Sequence, residues 1–140
     1  MAEVTKIFDQ IDLDNPTKAR DRKLLAKADD LAIALNHYAP AARNEFHYHK
    51  GSSQSFLCVK GKLTLRTKDS EDAEPSTHYL TEGMCALIPG NQYYQLHNES
   101  DHPALLYQVK RPGDQIVVAG KGQLSNRDYF TKERKQRTTL

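Results

Sequence analysis

The chain has no tryptophan and only two cysteines among its 140 residues. Cys58 and Cys85 each sit inside an apolar run, which suits buried thiols in a reducing compartment better than a disulfide framework. Excess charge is lacking as well: 20 Lys and Arg face 18 Asp and Glu, a formal net charge of +2. A dedicated nucleic-acid binder shows a marked basic excess, so that class is excluded. No apolar run approaches the roughly 18 residues of a membrane-spanning helix, and the opening MAEVTKIFDQIDLD is acidic and interrupted, unlike a secretory signal. The expected location is the cytoplasm, with no membrane partner. Also absent are G-x-x-x-x-G-K-[ST], G-x-G-x-x-G after a strand, G-x-S-x-G and C-x-x-C, which removes support for nucleotide-dependent and serine-hydrolase chemistry. Hydrophobic residues make up 38% and charged residues 27%, polar for a globular protein but above the disordered range. The length suits one domain around one core.

Short alternating runs fill the middle of the chain. Residues 23–28 and 31–38 read as two strands joined by a tight turn at Asp29-Asp30. Further strands are expected at 46–49, 54–59, 62–67, 78–80, 85–88, 92–97, 104–109 and 116–119, with a polar loop at 68–76. Gly51, Gly61, Gly83, Pro89-Gly90 and Pro112-Gly113 punctuate them. Strands recurring about every ten residues between turn signals indicate an all-β sandwich or barrel. The expected division is an N-terminal arm at 1–22, a barrel at 23–120 and a C-terminal segment at 121–140 that is partly helical. In that last segment Ser125 or Asn126 is positioned to cap a short helix from Arg127 to Gln136. Lys60, Lys62, Arg66 and Lys68 alternate along one strand as a solvated basic face.

The informative stretch is NEFHYHKGSSQSFLCVKG, residues 44–61. His47 and His49 lie two apart on a strand, so both imidazoles point to one face. That spacing lets two imidazoles meet one metal ion. Gln54 opens the next strand, where its carbonyl oxygen offers a third donor, and Phe56 and Cys58 share its face by alternation.

These residues resemble the first motif of the cupin superfamily: Gly, five residues, His-x-His, three or four residues, Glu, six residues, Gly. Here Ala41 holds the leading place, and His47, His49, Gln54 and Gly61 follow at the family spacing. The second motif is Gly, five residues, Pro-x-Gly, two residues, His, three residues, Asn. Gly83, Pro89, Asn91, Tyr94 and Asn98 hold those places. The resemblance covers about residues 31–112 and implies a double-stranded β-helix, or jelly-roll, barrel with its functional site inside. Ala41 and Asn91 depart from the family at turn glycines. Gln54 and Tyr94 depart at the chemistry, replacing the glutamate and the third histidine.

The resemblance implies a divalent metal ion (Fe, Ni, Zn or Mn) held by His47, His49 and Gln54, with Lewis-acid chemistry of a cyclase, isomerase, lyase or dioxygenase type on a small oxygenated or carbonyl metabolite. Tyr94 then either joins the ligands with its pKa depressed by the cation or, as an unligated phenol, serves as general acid or orients a carbonyl. Phe56, Cys58, Tyr94 and Tyr107 are the expected substrate contacts. His97 is an alternative ligand that only a β-bulge would turn inward. A non-catalytic barrel that senses a small ligand without metal is the other reading. The family commonly pairs, so a homodimer is expected, with the apolar hairpin at 23–38 as its interface.

Overall fold

The computed structural model describes residues 2–12, 19–113 and 115–125, and these form two antiparallel sheets with one turn of 3-10 helix at Ile7–Asp9. The first five strands are β1 (Arg20–Lys27), β2 (Ala32–Tyr38), β3 (His47–His49), β4 (Gln54–Lys60) and β5 (Lys62–Lys68). Next come β6 (Ser76–Thr81), β7 (Cys85–Ile88), β8 (Tyr93–His97) and β9 (Ala104–Lys110). The described chain ends in the hairpin of β10 (Gln115–Val118) and β11 (Gly122–Ser125). One sheet has the order β1-β2-β9-β4-β7 and the other β11-β10-β3-β8-β5-β6. This is the all-β architecture that the strand spacing predicts, in the jelly-roll form that the family resemblance implies.

The strands run from Arg20 to Ser125, somewhat beyond the 23–120 expected for the barrel. β11 adds a strand at the start of the expected C-terminal segment, ahead of the helix expected from Arg127, where Gln123 and Leu124 extend the hairpin back along β10. The helix expected from Arg127 to Gln136 lies outside the described residues. Among the described residues, no helix is long and apolar enough to cross a membrane.

Alternation explains the core. Phe56 and Cys58 of β4, Leu63 and Leu65 of β5, Leu80, Ile88, Leu96 and Leu106 all turn into one buried cluster. Each such side chain contributes about 2 kcal/mol by leaving water. Cys85 departs from the expected pair of buried thiols: it is exposed on β7, an edge strand of its sheet. The outer face of the five-stranded sheet is partly covered too: Leu35, His37 and Leu105 are at most 1% exposed.

Backbone conformation accounts for three motif positions. Ala41 and Asn91, which stand where the family has glycine, adopt φ of 69° and 68°. Both turns therefore keep the left-handed geometry that favours glycine, and Asn tolerates it better than Ala. At Gly61, between β4 and β5, φ is 81° and an added Cβ would lie 2.5 Å from the Pro103 carbonyl oxygen. Asn98, the last motif residue, is fully buried. Its amide donates to the carbonyls of Tyr38 (2.9 Å) and His102 (2.8 Å), and its Oδ1 accepts from Ser100 N (3.0 Å) and Oγ (2.7 Å). It ties the β8–β9 turn to the end of β2.

Candidate functional site in the barrel

β3 is only three residues long and lies between β10 and β8. Its alternation sends His47 and His49 inward, both buried, while Tyr48 turns outward to meet Tyr93 edge-on at 4.8 Å. His47 is the register partner of Tyr94 on β8, and their rings lie 4.4 Å apart. The His47 and His49 rings meet edge-on at 5.1 Å. Phe56 of β4 closes the apolar side, 6.1 Å from the Tyr94 ring.

The opposite wall is polar. On β9, Gln108 and Lys110 face inward beyond the buried Leu106, and β2 and β1 add Asn36, Tyr38, Arg20 and Arg22. Together with the two histidines and Tyr94 they surround a cavity of about 40 Å³. That is room for roughly three waters or one small anionic group. No Asp or Glu is among the described residues that line it.

Two hydrogen-bond chains organise this wall. Gln108 Nε2 donates to Gln54 Oε1 at 2.7 Å, while Gln108 Oε1 accepts from Asn36 Nδ2 (2.9 Å) and Arg22 Nε (3.3 Å). These bonds fix how both glutamine amides point. The second chain runs from Lys110 Nζ to His49 Nδ1 (3.0 Å), and from His49 Nε2 to Tyr94 Oη at a long 3.5 Å. An ammonium has no lone pair, so protonated Lys110 donates to Nδ1 and the imidazole proton sits on Nε2. His47 is set the other way. Its Nδ1–H donates to the Glu45 carbonyl at 2.6 Å, leaving the lone pair on Nε2.

Burial governs the charges. Desolvation pulls His47 down to about 4, helped by the Lys110 and Arg20 charges and opposed by the Glu45 carbonyl. His47 is therefore neutral at physiological pH. Desolvation and the Arg22 charge pull Lys110 down to about 7. An anion placed beside that amine favours its charged form and draws the value back up.

The structure brings His47, His49, Phe56 and Tyr94 of the expected site residues around one cavity. Gln54 is buried but stands behind Gln108, outside the lining, so it acts by holding Gln108. Cys58 does not line the cavity either. It is fully buried in the core, with its thiol toward the carbonyls of Lys60 and Gly61. Tyr107 faces the other side of its sheet, because its neighbours Leu106 and Gln108 take the inward positions on β9. His97 lies on the outer side of β8 with Nδ1 3.8 Å from Glu99 Oε1; no bulge turns it inward. The sequence reading missed Arg20, Arg22, Asn36, Gln108 and Lys110. The available signal was polar residues at 108 and 110 on the same face of a strand as Ala104 and Leu106, which marks where a packed core gives way to an open mouth.

The residues present do not fit a divalent ion. A metal-ligating imidazole normally gives its other N–H to an acceptor, whereas His49 Nδ1 faces an ammonium. Gln54 Oε1 is engaged by Gln108. Among the described residues, no three of His, Cys, Asp and Glu are grouped to hold a metal.

Two antiparallel sheets with a His-x-His pair turned inward define a small jelly-roll protein with an internal site. A family model for the cupin domain matches residues 34–110, and the chain belongs to that family. It is 29% identical over 94 residues to an uncharacterized protein of Acanthamoeba polyphaga mimivirus, a match over 66% of this chain and 57% of that protein. The matched segment thus spans little more than half of that curated relative. Among solved structures, a Thermus thermophilus protein aligns at 24% identity and a TM-score of 0.66, over 79% of this chain and 98% of that one. A cupin-superfamily sugar phosphate isomerase from Silicibacter pomeroyi aligns at 19% identity and a TM-score of 0.62, over 76% of this chain and 74% of that one. At these identities the structural likenesses speak to fold alone.

Proposed function

We propose that this cupin binds a small oxygenated metabolite bearing an anionic group inside the barrel, and moves a proton on it in the manner of an isomerase, cyclase or lyase. The observation that carries this reading is the buried amine of Lys110 in one cavity with two imidazoles and a phenol. A buried ammonium is costly unless a counter-charge joins it, so an anionic oxygen is the ligand group the site favours. The sugar phosphate isomerase with the same fold has a ligand of that chemistry in its name.

Each residue then has a task. Lys110 anchors the anion. Tyr94 donates a hydrogen bond to a carbonyl oxygen as negative charge develops on it. Neutral His47 presents a lone pair at Nε2 to take a proton from the adjacent carbon. Phe56 and Leu96 shield that end of the cavity from water.

Only His47 favours the expected divalent Fe, Ni, Zn or Mn ion, since its Nδ1–H already has a carbonyl acceptor; His49, which meets Lys110, and Gln54, which is held by Gln108, do not. The homodimer is part of the proposal, supported by Leu24 and Leu31 of the first hairpin, which are 53% and 46% exposed. Sedimentation at micromolar concentration checks it, and a monodisperse monomer removes it.

The test of function is a binding screen of small sugar phosphates and keto acids, followed by proton exchange into solvent deuterium at the carbon next to the carbonyl. Tyr94→Phe is expected to keep binding within a few fold and to slow exchange about a hundredfold. Binding without exchange in wild type identifies a ligand sensor. No saturable binding of any anionic compound sinks the proposal.

A further inference from the structure

We infer that the Lys110 ammonium stands in for the metal ion of the family: it is the fixed cation of this barrel, and an anionic oxygen of the ligand docks on it directly. The inference rests on the anion-binding reading above, in which Lys110 anchors the anion, and adds that no metal ion takes part in the encounter.

Four features point the same way. Lys110 Nζ lies 3.0 Å from His49 Nδ1, so its hydrogen bond places the imidazole proton on Nε2, the atom a metal would need. The family's glutamate is Gln54, and its oxygen accepts from Gln108 Nε2 at 2.7 Å. Gln108 is itself held by Asn36 Nδ2 at 2.9 Å, so Gln54 cannot turn toward the histidines without breaking a chain of buried bonds. The family's third histidine is Tyr94, whose Oη lies 3.5 Å from His49 Nε2. The replacements exchange a carboxylate and an imidazole for weaker neutral oxygen donors, and Lys110 supplies positive charge in the same cavity.

The chemistry of the ligand group follows. A metal site selects oxygens by coordination number and bond length, whereas an ammonium selects by charge and donates up to three hydrogen bonds. A carboxylate or a phosphate oxygen satisfies it equally. The cavity of about 40 Å³ admits such a group, with the body of the ligand toward the mouth.

Calorimetry on EDTA-stripped protein tests this in two arms. In the first, zinc chloride is titrated into wild type, Lys110→Met, Lys110→Gln and the double variant Lys110→Met/Gln54→Glu. Wild type is expected to show no saturable zinc site in the micromolar range, and removal of the lysine to tighten zinc binding at least about tenfold. The double variant should tighten it further, and adding His47→Ala should abolish the gain. In the second arm, pyruvate and inorganic phosphate are titrated with EDTA present. Binding of either is expected to persist without metal and to weaken at least about tenfold in both lysine variants. Pyruvate alone identifies a carboxylate site, and phosphate alone a phosphate site. One tightly held zinc in wild type, unchanged by Lys110→Met and Lys110→Gln, overturns the inference. Anion binding that appears only after zinc is added also overturns it, while leaving the anion-binding function standing. Silence of both anions with and without zinc defeats that function and this inference together.

Discussion

Gln108 and Gln54 face each other across β9 and β4 with their amides locked, Nε2 of the first donating to Oε1 of the second at 2.7 Å. The same Gln108 accepts from Asn36 and Arg22. One side chain thus joins β4, β2 and β1 on the polar wall, and replacing it takes a partner from the buried Gln54 oxygen and the half-buried Asn36 amide.

Gln108→Leu is accordingly expected to destabilise the fold by about 3 kcal/mol, since unsatisfied buried polar groups cost about 1–3 kcal/mol each. Urea unfolding measures this. A loss below about 0.5 kcal/mol, the usual scatter of surface substitutions, would show that the wall rearranges around the gap.

Asn98→Ala removes four hydrogen bonds of a fully buried side chain. The Tyr38 carbonyl and the Ser100 amide lose these bonds, while the His102 carbonyl keeps the Ser100 hydroxyl at 3.1 Å. The expected cost is about 3 kcal/mol or more, with Asn98→Asp no better, because a carboxylate cannot donate to the carbonyls of Tyr38 and His102. Equal stability of Asn98→Ala and wild type in thermal unfolding would contradict the role as a tie.

Ala41 is a non-glycine residue held at φ 69°. Ala41→Gly should stabilise the protein by about 1 kcal/mol, the relief of the left-handed penalty less the greater freedom of glycine in the unfolded chain. The denaturant midpoint reads the sign directly, and a lower midpoint for the variant defeats the claim.

Stability should depend on pH through His47. The unfolded chain protonates this histidine near 6.5 and the folded protein only near 4. Between those values the unfolded state binds more protons, so stability is fully present above 6.5 and is lost as the pH falls through 4. The loss is about 3 kcal/mol. Lys110 acts on the alkaline side: its folded value near 7 lies below its ordinary 10.5, so its part of the stability rises between those two values. Unfolding free energies at about pH 7 and about pH 4.5 are expected to converge in His47→Gln relative to wild type. An unchanged difference would trace the acid loss to other groups.

His97→Ala should leave anion binding within about twofold, because the ring lies on the outer side of β8 beside Glu99. A larger loss, measured by the same calorimetry, would place His97 functionally in the cavity.

The fold was legible because turn residues interrupt period-2 alternation at short intervals, and because His47 and His49 keep the family spacing. Ala41 and Asn91 show why spacing outweighed identity: both keep the backbone conformation of the glycines they replace. Half of the site was not legible. Lys110 reaches His49 only through the register of β9 against β4 and β2, and Arg22 reaches Gln108 only through β1 against β2. Such neighbours are fixed by strand pairing across the sheet, which no local pattern records. Tyr107 shows the converse. An aromatic on β9 reads as pocket lining until the inward face of that strand is known, and one position of alternation separates it from Gln108.

The pairing of β3 has a kinetic side. Its neighbours are Tyr94, opposite His47, and Val118, seventy-one positions after it in the chain. Closing loops of that length before any contact rewards them makes folding slow, on a scale of about milliseconds to seconds for barrels rich in distant contacts. A chain emerging from the ribosome therefore carries both imidazoles long before it carries the strands that hold them side by side. The site exists only once β3 has paired with both β8 and β10, so ligand capture reports an assembled barrel.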